Sequence, residues 1–295
     1  MYEQIQANKR KSFLLVLLFF VIIGVLGSLI GLFFGDVSIG LIFSMGVAAL
    51  IFLIQYFAGD RMILAISGAR KATKEENAYL VNSVESLSIA AGIPMPEIYV
   101  IDDSALNAFA TGRDPKHSKI VVTTGLLKKM NRLELEGVLA HEISHIKNYD
   151  IRLMLIAIAL VGVVTLISDL FLRFTIHATE GGDFKKSGSL FVVLLVVAVI
   201  LRILAPIFAY IIHLAISRQR EYLADASGAL LTRYPEGLAS ALEKIKNDKH
   251  PLVETANQST ASLYISNPLR RKGFLNNLFS THPPIEERIK RLRAM

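Results

Sequence analysis

Two long stretches without a charged residue constrain the fold of this chain more than any other feature. They cover Ser12 to Phe34, 23 residues, and Val37 to Ala58, 22 residues. About 20 apolar residues in a helix cross the ~30 Å hydrocarbon core of a bilayer. Both stretches are therefore predicted to be membrane-spanning helices. Two other interpretations are open: the core helix of a soluble domain, which normally shows a polar stripe, and, for the first stretch, a cleavable signal sequence.

Two further apolar segments are weaker candidates for membrane helices. Leu153 to Ser168 carries no charge for 16 residues, and Ser187 to Ile216 runs for 30 residues with one arginine, one proline and one histidine inside it. Charged residues within such segments usually face a bundle interior or water. Both segments are therefore predicted to span the membrane, with burial inside protein as the alternative. The connection Phe171 to Lys186 is predicted to be a loop on the outer side.

Composition supports a membrane protein and narrows its chemistry. Charged residues make up 19% of the chain and hydrophobic residues 53%, whereas an ordinary soluble domain has about 25% charged residues. This apolar share excludes intrinsic disorder, which requires low hydrophobicity. The absence of cysteine excludes disulfide frameworks, thiol catalysis and cysteine zinc sites. A metal site in this chain must therefore use His, Asp or Glu.

Lysine and arginine residues flank the apolar segments unevenly. Lys9, Arg10 and Lys11 precede the first segment, whereas the connection to the second carries no basic residue. Under the positive-inside rule, this pattern places the N-terminus in the cytoplasm. The net charge of +7 suits an anionic lipid surface and requires no nucleic acid, and a basic face that is merely solvated is the alternative.

The chain is thereby divided into four regions with a cytoplasmic domain in two parts. They are a tail with two membrane helices (1–60), the first part of the domain (61–150), two more membrane helices (151–216) and the second part of the domain (217–295). Within the first part, the pattern predicts helices over Glu75–Ala91 and Arg132–Tyr149, strands over Glu97–Ile101 and Ile120–Thr123, and Ala105–Gly112 as a possible third strand.

The second of these helices carries a metal-binding pattern. His141, Glu142 and His145 stand in the sequence His-Glu-Ile-Ser-His. Residues i and i+4 lie about 40° apart around an α-helix, so both imidazoles can supply a nitrogen to one Zn²⁺. Glu142 does not ligate in this pattern and can take a proton from the attacking water as a general base. Two surface histidines on an ordinary helix are the competing interpretation.

A catalytic zinc takes a third protein ligand and keeps one position open. The longer metzincin pattern is excluded, because Asn148 and Ile151 stand where it requires glycine and histidine. Glu221, just after the fourth apolar segment, is a candidate for the third ligand, and Asp225 can accept the outer N–H of a ligating histidine. From spacing alone, an ordinary solvated pair of Glu221 with a neighbouring arginine explains this residue equally well.

These motifs together resemble those of a known family. His141 to His145 followed by Asn148 and Asp150, and Ser217 to Asp225, are similar to the HtpX family of membrane-integrated zinc endopeptidases, relatives of the CAAX prenyl endoproteases. Further matches are Asn107–Gly112, Thr123–Leu126, Phe279–Pro284, Arg288 and Leu292. The resemblance extends over nearly the whole chain.

The resemblance implies one Zn²⁺ per chain, bound by His141, His145 and Glu221, with Glu142 as general base. The fold class expected is a mainly α integral membrane protein with about four transmembrane helices and a cytoplasmic α+β gluzincin-type zinc metallopeptidase domain carrying a small β-sheet. The resemblance also implies a multi-pass protein of the bacterial plasma (inner) membrane with a cytoplasmic active site. Its expected role is stress response and protein quality control, by degrading misfolded or damaged membrane proteins in the lipid bilayer.

Several residues outside the predicted ligand set are candidates for substrate binding or for supporting roles. The candidates for a substrate-binding edge strand, to which a peptide could add through main-chain hydrogen bonds, are Asn107, Ala108, Phe109 and Ala110. A plain β-turn is the competing interpretation of this segment. His282 precedes two prolines and is either a donor to the oxyanion of the transition state or a structural cap. Asn148 and Asp150 are expected to cap the helix or support the ligands rather than to catalyse.

The two ligand-bearing helices are predicted to be nearly continuous with membrane segments, which places the metal close to the cytoplasmic bilayer surface. Two other function classes are open at this point. One is a catalytically silent membrane scaffold, and the other is a transporter, suggested by Arg152, Asp169 and Arg202 in or beside apolar segments. A zinc hydrolase that acts on a lipid or another non-peptide amide would share the same motif chemistry.

Overall fold

The computed structural model describes residues 2–33, 35–180, 218–248, 263–266 and 283–295. Its helices are α1 (Tyr2–Phe33), α2 (Val37–Ile66), α3 (Ala78–Ala91), α4 (Thr124–Lys129), α5 (Arg132–Lys147), α6 (Asp150–Glu180), α7 (Arg218–Thr232), α8 (Pro235–Asn247) and α9 (Ile285–Arg293). Its strands are β1 (Arg70–Lys71), β2 (Glu97–Ile101), β3 (Ala108–Gly112) and β4 (Ser118–Thr123). The fourth predicted membrane segment, Ser187 to Ile216, and His282 lie outside the described residues.

The chain divides into two compact units, named here the apolar unit and the polar unit. The apolar unit consists of Arg10–Phe57 and Ile156–Ile212. The polar unit consists of Met1–Lys9, Ala58–Leu155 and His213–Met295. Each unit is therefore assembled from segments that are far apart in sequence.

Helices α1 and α2 match the first two predicted membrane spans. They contain two candidate spans, Glu3–Leu32 and Val37–Ile66, which are 22% and 6% buried over their most apolar stretches. The core helix of a soluble protein would be mostly buried, so this low burial favours a lipid-facing role over the core-helix interpretation. Among the described residues, these two helices are long and apolar enough to cross a membrane.

Glycine residues bring α1 and α2 close together in the apolar unit. A Cβ atom added to Gly31 would lie 2.9 Å from the backbone of Gly40, and one added to Gly40 would lie 2.5 Å from the backbone of Gly31. Small residues at such positions let membrane helices approach closely. The apolar core of this unit consists of Phe19, Ile23, Ala48, Ile156, Leu160, Val163 and Val164.

The third predicted membrane segment lies within α6, and this helix is longer than expected. Residues Phe171 to Glu180 continue the helix, so the prediction of a loop from Phe171 onwards is wrong for these residues. The physical reason is that this stretch contains neither glycine nor proline, the two residues that most strongly oppose a helix. The first glycines after it are Gly181 and Gly182.

The polar unit contains a four-stranded sheet in the order β1-β2-β4-β3. Strand β2 pairs in parallel with β4, while β1 and β3 pair antiparallel with β2 and β4 respectively. The bounds of β2 agree with the prediction, β4 begins two residues earlier than predicted, and the possible third strand is confirmed as β3. All residues of β3 and β4 are buried, which fits the short apolar runs that predicted them.

Helix α5 lies at the centre of the polar unit. It packs against α3, α7, α8 and β3, and Val138, Leu139 and Ile143 are fully buried. Gly137 allows the close approach of α8, because a Cβ atom there would lie 2.6 Å from the backbone nitrogen of Leu238. A helix that is buried on several sides is held in a fixed position by its neighbours.

Both ends of α5 have identifiable causes. Asn131 accepts the backbone N–H of Glu134 at 2.9 Å, and the Glu134 carboxylate accepts the backbone N–H of Asn131 at 2.8 Å, which forms a capping box. The helix ends at Lys147, two residues before the predicted end. Tyr149 then adopts a left-handed conformation with φ 61°, and α6 begins at Asp150.

Glu134 is expected to make a pH-dependent contribution to stability. Burial alone would raise its pKa, but the ion pair with Lys244 at 2.6 Å and the capping hydrogen bond outweigh burial and lower the pKa. This stabilisation is therefore complete above the unfolded-state pKa of glutamate, about 4.3, and is lost as the pH falls through the lower folded-state value. Glu134→Gln should lower the Tm at pH 7, and the difference from wild type should shrink below about pH 4.

Circular dichroism of the detergent-solubilised chain measures this difference in Tm at each pH. Glu85→Gln is the matched control, because Glu85 is an exposed residue of the neighbouring helix α3. A deficit of the Glu134→Gln variant that stays the same at pH 3 as at pH 7 would contradict the assignment.

Candidate metal centre

Helices α5 and α7 bring the three predicted ligands together. His141 and His145 lie one turn apart on α5, and Glu221 lies in the first turn of α7. One ligand atom from each residue lies within 4.8 Å of the other two. Gly228 allows α7 to approach α5 here, because a Cβ atom at this position would lie 3.0 Å from the backbone nitrogen of His141.

The distances between the three side chains fit a shared metal ion. His141 Nε2 lies 3.1 Å from His145 Nε2 and 3.7 Å from Glu221 Oε2. His145 Nε2 lies 3.5 Å from Glu221 Oε1. Two ligand atoms that bind one tetrahedral zinc at about 2.0–2.2 Å are about 3.3–3.6 Å apart. The donor set, two imidazoles and one carboxylate, is one that zinc accepts.

Each histidine is held by a carboxylate through its other ring nitrogen. His141 Nδ1 lies 2.9 Å from Asp225 Oδ1, and His145 Nδ1 lies 3.0 Å from Asp150 Oδ2. An ionised carboxylate can only accept hydrogen bonds, so Nδ1 of each ring carries a proton and Nε2 is the nitrogen that faces the shared position. Without a metal ion, a second proton on His145 lets its Nε2 donate to His141 Nε2 at 3.1 Å. A divalent ion at this position would replace that proton and bind both Nε2 atoms.

The charge balance of the site also favours a cation. The charged side chains that surround it among the described residues are Glu142, Asp150, Glu221, Asp225, Arg220 and Arg288. With both histidines neutral, as metal ligands must be, and all four carboxylates ionised, two guanidinium groups leave two negative charges unmatched. Unmatched charges are costly in a buried environment, and a divalent cation would balance them.

Burial and neighbouring charges shift the pKa values of the residues on α5. Burial lowers the pKa of His141, in opposition to its hydrogen bond with Asp225. Burial raises the pKa of Glu142 to about 7. Burial would also lower the pKa of His145, but the hydrogen bond with Asp150 and the negative charge of Glu221 outweigh it and raise this pKa to about 9. The site therefore attracts positive charge.

Arg288 holds the carboxylate that supports His141. This arginine is fully buried, and its Nε and Nη2 atoms donate to Asp225 at 2.9 and 2.7 Å. Such a two-point pair fixes the carboxylate in position as well as in charge. Burial would raise the pKa of Asp225, but Arg288 outweighs it and lowers this pKa, so Asp225 stays ionised. Sequence reasoning gave Arg288 no role, because it lies 63 residues from Asp225.

The predicted edge-strand residues lie beside a cleft next to the three ligands. The cleft beside the three ligands is lined by Ala110, Glu142, Asp150, Ile151, Met154, Arg220, Leu263, Tyr264 and Ile265. Asn107 and Ala108 are engaged with the chain itself: the Asn107 amide donates to Ser266 O at 3.1 Å, and Ala108 O accepts Ile265 N at 2.9 Å. Phe109 packs edge-on against Tyr264 with ring centroids 4.8 Å apart. Ala110 is therefore the predicted edge-strand residue that lines the cleft.

Comparison with known proteins identifies the family. The family model described as Peptidase family M48 matches residues 74–295. The chain belongs to peptidase family M48. Among its relatives, the protein named Protease HtpX homolog of Dictyoglomus thermophilum is 52% identical over 299 residues, which cover 100% of this chain and 94% of the relative. Relatives of the same name from Tropheryma whipplei and Listeria monocytogenes are 49% and 45% identical to this chain. Both alignments cover 100% of this chain, and they cover 98% and 100% of the two relatives respectively.

A solved structure shows the same fold. The crystal structure of S. mikatae Ste24p aligns with a TM-score of 0.53 at 23% identity, over 99% of this chain and 67% of that chain. The predicted resemblance to the HtpX family is confirmed, and the chain is a metalloprotease of the membrane. M48 peptidases depend on zinc, and His141, His145 and Glu221 are the group among the described residues that could bind it.

Asp225 offers a direct test of the metal centre. Replacement by asparagine removes the negative charge that holds His141 Nδ1, and outer partners of this kind typically contribute 10–100-fold to metal affinity. Asp225→Asn should therefore weaken zinc binding by about that factor, measured by competition with a chromophoric chelator on the detergent-purified chain. Asp102→Asn, at an exposed carboxylate, is the control and should leave the affinity unchanged. Equal affinities of the Asp225→Asn variant and wild type would contradict the assignment.

Proposed function

We propose that this M48 peptidase is a membrane-bound zinc endopeptidase in which one Zn²⁺ is held by His141, His145 and Glu221. The observation that carries the proposal is the pair of Nε2 atoms 3.1 Å apart, with both Nδ1 protons directed to carboxylates and a third carboxylate beside them. Zinc held there would polarise the carbonyl of the scissile bond and lower the pKa of the attacking water. The donor set and the charge balance described above support this ion.

Glu142 is proposed as the general base. It follows the first ligand on α5, is 2% exposed and lines the cleft without belonging to the ligand group. Its carboxylate can take a proton from the attacking water and deliver it to the nitrogen of the leaving amine. Asp225 and Asp150 keep the Nδ1 protons on the two histidines, which leaves proton transfer to Glu142.

The edge of β3 supports a peptide as the substrate rather than a lipid amide. Thr123 N donates to Asn107 O, so backbone groups of Asn107 point to β4, and those of Ala110 point away from it because directions alternate along a strand. Ala110 lines the cleft beside Glu142. The backbone N–H of Ala110 donates to the Glu142 carboxylate, so the Ala110 carbonyl is the main-chain group that would accept a hydrogen bond from an extended peptide added to this edge, with its scissile bond near the three ligands.

The proposed site faces the cytoplasm. Residues Met1–Lys9 belong to the same compact unit as the metal centre, and the positive-inside rule assigns Lys9, Arg10 and Lys11 to the cytoplasmic side. A peptidase with this orientation reaches cytoplasmic loops and ends of membrane proteins. We propose misfolded or damaged membrane proteins as its substrates. The roles predicted for His282 and for the fourth membrane segment stay predictions.

Glu142→Gln separates catalysis from metal binding. The substitution removes the base and no ligand, so zinc content should match wild type while the rate of peptide cleavage falls by about 10²–10⁴-fold, the range typical of general-base catalysis. His141→Ala and Glu221→Ala should instead lower the zinc content. Elemental analysis and cleavage of casein by the purified chain measure the two effects. Cleavage by the Glu142→Gln variant at the wild-type rate would refute the mechanism.

The proposed orientation can be tested because the chain has no cysteine. Gln4→Cys introduces a thiol in the exposed first turns of α1, and Ser38→Cys introduces one in the exposed start of α2. In intact cells, a membrane-impermeant maleimide should label Ser38→Cys and leave Gln4→Cys unlabelled, while both should react after lysis. Labelling of Gln4→Cys in intact cells would reverse the orientation and refute a cytoplasmic site.

A further inference from the structure

The first turns of α1 contact the support of the metal centre. Asn8 is 2% exposed, and its Nδ2 atom donates to Asp150 Oδ1 at 2.7 Å and to the backbone oxygen of Asn148 at 2.9 Å. The other oxygen of Asp150 accepts His145 Nδ1 at 3.0 Å. Asn8 is thus connected to His145 through a single carboxylate, although 142 residues separate it from Asp150.

The orientation of the Asn8 amide follows from its partners. A backbone oxygen and an ionised carboxylate can only accept hydrogen bonds, so the NH₂ group of Asn8 must face them. Among the described residues, Arg220 also lies near this carboxylate, with Nη1 3.7 Å from Asp150 Oδ1. Asn8 is closer by 1.0 Å and makes a hydrogen bond of normal length. It therefore contributes most directly to the position of this oxygen.

Lys9 contacts the same junction between α5 and α6. Its ammonium group lies 4.4 Å from the centre of the Tyr149 ring, a distance typical of a cation–π interaction. Tyr149 is the residue in the left-handed conformation at this junction, with φ 61°. Asn8 and Lys9 together contact all three residues of the junction, Asn148, Tyr149 and Asp150. The turn that brings Asp150 to His145 is therefore stabilised by contacts with α1 as well as by its own backbone.

We infer that Asn8 is a positioning residue of the metal centre: it fixes the Asp150 carboxylate so that this carboxylate holds His145 with Nε2 directed at the metal. The arrangement parallels the other histidine, where Arg288 fixes Asp225 and Asp225 holds His141. Both supports come from elements distant in sequence. The inference rests on the proposed zinc site and extends it to the first turns of the N-terminal helix.

Zinc affinity of the full-length chain tests this inference. The metal is removed by chelation from protein purified in detergent, and the Kd for Zn²⁺ is measured by competition with a chromophoric chelator. Asn8→Leu keeps the side-chain volume and the helix but loses the donor, and Asn8→Ala removes the side chain. Both should raise the Kd about tenfold, the lower end of the range for outer partners of a metal ligand. Gln4→Ala, at an exposed amide one turn earlier, should leave the Kd unchanged.

A double-mutant cycle separates positioning from a purely structural role. If Asn8 acts through Asp150, the Asn8→Leu substitution should have no further effect on the Kd in a chain that already carries Asp150→Ala. A structural tie would lower the Tm of the metal-free chain and leave the Kd unchanged. An unchanged Kd in the Asn8→Leu and Asn8→Ala variants, or effects that multiply in the double variant, would overturn the inference.

The same measurements distinguish this inference from the proposed function. A wild-type chain that binds no zinc refutes the zinc site itself. A wild-type chain that binds zinc, loses it in the His141→Ala variant and keeps its affinity in both Asn8 variants refutes only the positioning role.

Discussion

The structure depends on two imidazole nitrogens that are held face to face. His141 Nε2 and His145 Nε2 lie 3.1 Å apart, and a carboxylate fixes a proton on Nδ1 of each ring, so that Nε2 is the nitrogen that a metal ion would bind. Spacing on a helix brings the two rings to one face, but it does not determine which ring nitrogen carries the proton. Asp225 and Asp150 each fix a proton on Nδ1, and with Glu221 they form a site whose negative charge a divalent ion would balance.

The supports of the two histidines show why the polar unit is assembled from separate segments. Asp225 is fixed by Arg288 in α9 near the end of the chain, and Asp150 is bonded by Asn8 in α1 near its start. A buried arginine or carboxylate is stable only when its hydrogen bonds are satisfied. The supports of the metal centre therefore come from α1 and α9, at opposite ends of the described chain. Metal binding is expected to stabilise the whole unit, because the ligands come together only in the folded chain.

Local patterns in the sequence predicted much of this architecture, and contacts between distant residues were beyond their reach. The i, i+4 spacing predicted His141 and His145 on one face, and the apolar runs predicted β2 and α2. The continuation of α6 to Glu180 was missed, because the uncharged run that predicted the segment ends at Asp169, whereas the helix continues through charged residues. The bonds from Asn8 to Asp150 and from Arg288 to Asp225 join residues 142 and 63 positions apart. No periodicity connects such residues, since only the packing of helices brings them together.

Peptide addition to the edge of β3, as proposed, would let one site accept many substrates. Asn107 and Ala108 are engaged by residues 263–266, so the chain itself covers part of the edge and leaves Ala110 beside the cleft. Recognition at this point would use the peptide backbone, which every protein substrate shares, whereas side-chain pockets would restrict the sequence. An extended backbone is available only in unfolded or displaced segments. Selection for damaged proteins can therefore come from access to an extended strand, and protein quality control requires that kind of selectivity.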